Sequence, residues 1–173
     1  YARAADALGV DIIQNCAVED MVINAGKVSG VQTSQGLIKA DKVALAVAGH
    51  TSVLGAMAGL RLPIVSQPLQ AMVSEPVKPI LNGAIISPVM HTYVSQSDRG
   101  EILIGGGADR YPSYGQRGNL PIVEECLAAT IALFPAFSRL KLMRQWAGIV
   151  DISPDTSPII GKTPVNGLYI SGG

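Results

Sequence analysis

The feature that most constrains this chain is a charge-free apolar run, residues 43–47, set between Asp41-Lys42 and Ala48-Gly49. A run of that length with polar bounds suits a strand buried on both faces, as in a parallel sheet. Ala48 and Gly49 then stand at the carboxyl end of the strand, the edge where open α/β sheets take their ligands. Small residues there let a ligand come close to the backbone. Ahead of the run, residues 1–8 are Ala-rich and helix-like, and Gly9 can supply the left-handed residue that ends a helix. Residues 10–13 read as a strand. Residues 18–23, 27–33 and 37–39 read as three more, with Gly26 and Gly36 in the turns between them. This is a β-meander, placed where a plain alternating βα chain would carry a helix.

After residue 52 the pattern changes. A short helical piece, 53–58, closes at Gly59, and residues 62–68 cross over with Pro63 and Pro68. Residues 69–75, 83–86, 90–96 and 101–105 read as strands of a second, antiparallel or mixed sheet, with a hairpin turn at 97–100. Period-two alternation puts His91, Tyr93 and Ser95 on one face, and Thr92 and Val94 on the other. Gly105-Gly106-Gly107 lacks the Gly-Lys-Ser/Thr sequel of a phosphate-binding loop, so it marks a bend or a close backbone approach. A helix opens at Asn119 or Leu120, with Pro121 in its first turn and Pro135 as its stop. Val123, Leu127, Ile131 and Phe134 form its apolar stripe. Residues 142–150 read as a strand carrying Trp146, residues 151–158 as a turn-rich crossing, and 168–171 as a last buried strand. The fold class is α/β with an α+β second lobe.

Of the 173 residues, 48% are hydrophobic and 15% charged, which is enough apolar material for a packed core. Thirteen basic residues balance 13 acidic ones, so no cationic stripe exists to follow a phosphate backbone, and nucleic acid is not an expected partner. No apolar run has the length of a membrane span. Cys16 and Cys126 lie far apart with no metal spacing, which fits small core residues in a reducing, cytoplasmic setting. The chain opens without a helix cap and stops at a strand end, as a piece of a longer protein would.

Single residues carry little chemistry by spacing alone. No Ser-His-Asp set and no metal cluster is present, because His50 and His91 are isolated. His50 fits a solvent-facing turn or a contact to phosphate or ribose. His91 and Tyr93 fit a half-exposed sheet face or a substrate pocket. Trp146 fits core packing or a wall against a planar cofactor. Asp155, between Pro154 and Pro158, is a turn former through its side chain.

Several stretches in fixed order resemble the D-amino-acid oxidase and sarcosine oxidase flavoprotein family. They are Val18-x-x-Met21-Val22, residues 27–33, Ala40-Asp41-Lys42-Val43, Ala48-Gly49, Trp146-Ala147-Gly148-Ile149, Ser153-Pro154-Asp155-x-x-Pro158-Ile159-Ile160-Gly161 and residues 167–173. Residues 9–16 and 114–118, with Leu133-Phe134-Pro135 and residues 161–164, are most similar to the β subunit of heterotetrameric sarcosine oxidases.

The resemblance implies a partial FAD-binding Rossmann-like domain with a β-meander (1–61), a substrate domain (62–152) and a return segment of the flavin domain (153–173). It implies that Val18, Ala48, Gly49, Trp146, Gly148, Gly172 and Gly173 meet the cofactor. It places His91 and Tyr93 at the catalytic face, with Arg117 a lesser candidate. It implies oxidation of a small secondary amine by hydride transfer to FAD, with other sarcosine oxidase subunits as partners. A covalent FMN would hang on a histidine outside this sequence. The family's first glycine-rich turn also lies outside it, so this stretch alone is expected to hold little or no flavin. Two alternatives share parts of the pattern: a pyridine-nucleotide flavoprotein reductase, which has the same meander and strand end, and a non-catalytic binding or assembly module.

Overall fold

A computed structural model describes residues 1–173. It is a mixed α/β structure of three sheets. Helix α1 (Ala2–Ala7) leads into the meander β1 (Val18–Asn24), β2 (Lys27–Thr33) and β3 (Gly36–Lys39), paired antiparallel in that order. Strand β4 (Val43–Leu45) follows, then a 3₁₀ turn (Ala48–His50) and helix α2 (Thr51–Met57). Strands β5 (Val65–Pro76), β6 (Ile85–Ser87), β7 (Thr92–Gln96) and β8 (Glu101–Ala108) come next, then helix α3 (Leu120–Leu133). A 3₁₀ turn (Pro135–Arg139) leads to β9 (Leu142–Ile152), β10 (Ile159–Lys162) and β11 (Leu168–Gly172).

The apolar run and the last strand come together. Strand β11 runs parallel to β4, with Leu168, Tyr169 and Ile170 opposite Val43, Ala44 and Leu45. Strand β10, which lies in the unassigned stretch between the expected crossing and the last strand, pairs antiparallel on the other side of β11. Met21, Leu45, Ala58 and Leu168 form one buried cluster that joins the meander, β4, the end of α2 and β11. The expected burial of residues 43–47 on both faces is not found. Only Val43–Leu45 is strand, and Ala44 and Ala46 are exposed. Ala48 adopts φ +44°, which turns the chain into the 3₁₀ segment before the strand can run on.

The second sheet has the order β6-β7-β8-β5-β9, all antiparallel. Burial alternates along β5: Ser66, Pro68, Gln70, Met72 and Ser74 face inward, and the residues between them are half-buried. Strand β5 begins before Pro68 rather than after it. The Pro68 carbonyl accepts from the Asp109 amide at the end of β8, so the missing proline N–H faces the side where the regular ladder stops. Met72, Val94, Ile102 and Ile104 pack against Ile122, Val123 and Cys126 of α3 and against Phe137. Each fully buried aliphatic side chain of this kind contributes about 1.5–3 kcal/mol.

Two expectations fail here for local reasons. Residues 10–13 are not a strand. No ladder partner is in reach, so Val10, Ile12 and Ile13 remain exposed, and strand propensity without a neighbour does not make a strand. Of the expected α3 stripe, Val123 is buried and Leu127 and Phe134 pack against the same core, but Ile131 is exposed, and the most buried residues of the helix are Ile122, Val123, Cys126 and Thr130. At Gly107 the helix lies close against β8. A Cβ at Gly107 would fall 2.4 Å from Ile122 Cγ2 and 2.7 Å from Cys126 Sγ.

Candidate functional site

The inner face of the five-stranded sheet is closed by α3. Its outer face is open, and the registers determine which residues share it. Ile86 lies opposite Tyr93, Tyr93 opposite Gly105, Gly105 opposite Ala71, and Ala71 opposite Trp146. Directly paired residues point to the same face, so these five form a single row across β6, β7, β8, β5 and β9. The row has bulky residues at both ends and a floor of Gly105 and Ala71 between them. Tyr93 and Trp146 stand three strand spacings apart, roughly 14 Å of backbone. The Tyr93 ring leans inward, so that a Cβ at Gly105 would fall 2.6 Å from Tyr93 Cζ and its hydroxyl oxygen. Trp146 is 38% exposed, so it is not a core residue.

The glycine triplet is what the sequence indicates, a place of close approach. Between the Leu69–Ala108 and Ala71–Gly105 pairs, β8 carries one residue more than β5, and Gly106 in that bulge has φ +126°. Gly105 makes room for Tyr93 on the open face, and Gly107 makes room for α3. His91 departs from expectation. It lies in the turn before β7 with φ +48°, exposed, so the alternation that fixes Tyr93 and Ser95 does not extend to it. Strand β7 begins at Thr92, and the backbone at His91 is left-handed rather than extended.

A cleft of about 400 Å³ lies at the carboxyl ends of β4 and β11. Ala46, Ala48, Gly172 and Gly173 line it, with Ile149, Val150 and Asp151 of β9 on the far side. Val150 also lies opposite Gln67, and Gly148 opposite Leu69, on the open face that carries Trp146. Val150, at the cleft, therefore shares the open face with Gly148 and Trp146. Gly148 is exposed with open space where a Cβ would be. Gly49 is buried behind the cleft, where a Cβ would fall 2.3 Å from Ile149 Cγ2. A Cβ at Gly172 would fall 2.7 Å from Thr51 Oγ1. Val18, half-buried at the start of β1 and opposite Thr33, lies in the meander.

Polar groups sequence reasoning missed stand at the junction of β5, β9 and the 3₁₀ turn. The buried Ser66 hydroxyl is 2.8 Å from the Gly49 carbonyl oxygen and 3.2 Å from Asp151 Oδ1. The Tyr114 hydroxyl donates to Ser66 Oγ across 3.3 Å, and its ring lies 5.0 Å from the exposed His50 ring. Continuing the alternation of β9 past Val150 would have placed Asp151 on the packed face. Asp155 is the turn former expected, accepting from the Ser157 amide at 3.1 Å. Arg117 is exposed in the loop after β8, and its carbonyl accepts from Gln145 Nε2. A hollow of about 510 Å³ beside Arg61 and Lys162 shares no residue with the row or the cleft.

The chain is 52% identical over 173 residues to a sarcosine oxidase subunit beta of Rhizobium meliloti (strain 1021). It is 51% identical over 173 residues to that of Rhodobacter capsulatus. Each match takes in 100% of this chain and 42% of the relative, so the chain spans about two-fifths of their length. The crystal structure of L-proline dehydrogenase from P. horikoshii superposes with a TM-score of 0.90 at 29% identity, over 99% of this chain and 47% of that one. The family model described as FAD dependent oxidoreductase matches residues 1–173, the whole of the chain, and this chain therefore belongs to the FAD-dependent oxidoreductase family.

Proposed function

We propose that this chain forms the amine-facing side and part of the flavin-facing side of an enzyme that oxidises a small secondary amine such as sarcosine. One observation carries the reading: a cleft at the carboxyl ends of two parallel strands meets, at Val150 of β9, the sheet face on which Tyr93 and Trp146 flank Gly105 and Ala71. Residues 1–61 and 153–173 take the flavin side, and residues 62–152 the amine side. The relatives named sarcosine oxidase subunit beta make sarcosine the amine to test first, and other subunits the expected partners.

The residues of the cleft fit a flavin. Ala46, Ala48, Gly172 and Gly173 keep the strand ends low, and Asp151 Oδ2 is a buried acceptor without a partner. No Lys or Arg lines the cleft, so its chemistry suits the neutral ring and sugar-alcohol part of FAD, with the phosphates held elsewhere. When bound, the flavin supplies the two-electron acceptor for hydride transfer from the carbon next to the amine nitrogen. A covalent FMN, if the complete protein has one, would hang on a histidine outside this sequence.

The chain's own residues orient the amine and keep water out. The Tyr93 hydroxyl lies over Gly105 and takes no hydrogen bond within the chain, which leaves it free to hold a carboxylate or amine. The Trp146 ring can face a substrate cation, an attraction of about 0.5–2 kcal/mol. Ala71, which carries only a methyl group, leaves space for a small substrate between Tyr93 and Trp146. Cys16 and Cys126 are both free thiols, in keeping with a reducing cytoplasm.

The test is an anaerobic titration of the complete protein with its partner subunits. Sarcosine is expected to remove the flavin's visible absorbance stoichiometrically. Absorbance unchanged by sarcosine and by other small secondary amines would contradict the reading.

A further inference from the structure

Asp151 is 8% exposed and forms no ion pair. Its Oδ1 is 3.2 Å from the Ser66 hydroxyl, but its Oδ2, equally buried, has no hydrogen-bond partner. An unpartnered carboxyl oxygen away from water is unfavourable, and such groups in native proteins require an explanation. Stability does not supply one, since an amide or an apolar residue of similar volume would fill the place with less desolvation.

Position does supply one. Asp151 lines the 400 Å³ cleft opposite Ala46, Ala48, Gly172 and Gly173, and no cationic side chain lines it. A carboxyl oxygen in a cation-free cleft selects a neutral donor, an O–H or N–H of the occupant. The imide N–H of a flavin ring is flanked by two carbonyl oxygens that would repel a carboxylate. The hydroxyls of the ribityl chain have no such fixed neighbours.

Taking the flavin reading above as given, we propose that Asp151 is a cofactor-binding residue whose Oδ2 accepts a hydrogen bond from a ribityl hydroxyl of the flavin. Ser66 is its positioning residue. The Ser66 hydroxyl reaches both Asp151 Oδ1 and the Gly49 carbonyl. It thereby fixes the carboxyl group relative to the turn after β4.

The experiment uses the complete protein with its partner subunits, freed of FAD and titrated with FAD. Asp151→Asn keeps an acceptor for Ser66 and presents an NH₂ where Oδ2 stood. The FAD dissociation constant is expected to rise about 10- to 100-fold, the worth of one charge-assisted hydrogen bond. The absorption maxima of the bound flavin should stay in place, because a ribityl hydroxyl is not conjugated with the ring. The melting temperature of the flavin-free protein should be unchanged or higher, because a carboxylate costs more to bury than a neutral amide. Asp151→Leu, which has no acceptor, should behave the same way.

An unchanged FAD affinity in both variants, with normal uptake by the wild type, would overturn the assignment. So would a lower melting temperature with unchanged FAD affinity, which would make Asp151 a structural residue. A shift of the flavin's absorption maxima would place the contact on the ring and overturn the ribityl assignment. A wild type that takes up no FAD would overturn the flavin reading, and this assignment with it.

Discussion

Tyr93 and Gly105 face each other across the β7–β8 ladder, and the Tyr93 ring fills the space a side chain at 105 would need. Gly105 therefore sets where the phenol stands on the open face. Gly105→Ala should cost about 1–3 kcal/mol through overpacking. In a Tyr93→Ala background the same change should cost close to nothing. Urea unfolding of the four proteins in this double-mutant cycle measures the coupling. Additive costs would show that the ring is not held by the glycine.

Gly49 and Ile149 hold the turn after β4 against β9. A methyl group at 49 would meet Ile149 Cγ2 at 2.3 Å, Cβ at 2.5 Å and the backbone oxygen at 2.8 Å. Gly49→Ala should destabilise by about 2 kcal/mol or more, since backbone as well as side chain stands in the way. Ile149→Ala should recover only part of that loss, because Cβ and the carbonyl oxygen both remain. Full recovery in thermal melts of the double variant would locate the whole conflict in the isoleucine side chain.

Much of this arrangement was legible in local chemistry. Residues 43–47 and 168–171 both read as apolar strands ending in small residues, and the strands they form, β4 and β11, pair in parallel. Alternation along β7 placed Tyr93 opposite in facing to Val94 and Thr92, which are buried. The glycine triplet announced a close approach, and both Tyr93 and α3 use it. The row from Ile86 to Trp146 was not legible, because it depends on registers across five strands and on the β8 bulge. Register between distant strands is set by packing that no single segment contains. His91 was misplaced for a related reason: alternation is valid only inside a strand, and the strand begins one residue later. Asp151 was missed because β9 continues to Ile152, beyond the point where its sequence begins to look like a turn.

Cys126 gives a pH dependence of definite sign. Burial beneath β8 raises its thiol above the ordinary value, with the Gly107 backbone working the other way and Glu125 adding to the rise. The folded state thus holds the thiol proton more tightly than the unfolded state. The associated stability is complete below the unfolded thiol range and is lost as pH rises through the folded value. Unfolding free energy should fall with pH in the alkaline range, and Cys126→Ala should remove that part of the slope. A slope unchanged by the substitution would assign it to other groups. At neutral pH, a thiol reagent should modify half-buried Cys16 well before Cys126.

The Asp41 carboxyl is held below its usual range, first by the hydrogen bond from Lys27 Nζ at 2.9 Å and then by the charge of Lys27. Both groups are exposed, so the pair is screened. Lys27→Met should raise the Asp41 pKa toward its ordinary value while leaving the melting temperature nearly unchanged. NMR titration of the Asp41 side chain reads the first effect. A large loss of stability would show that the pair anchors the meander.

Turnover in the complete protein with its partner subunits tests most directly the proposal that the open face carrying Tyr93 and Trp146 handles the amine. Sarcosine-dependent peroxide formation should fall at least several-fold in Tyr93→Phe, which loses only a hydroxyl, and further in Trp146→Ala. Urea midpoints should stay close to wild type for Tyr93→Phe, because that hydroxyl makes no hydrogen bond within the chain. Wild-type turnover in both variants would remove this face from the site.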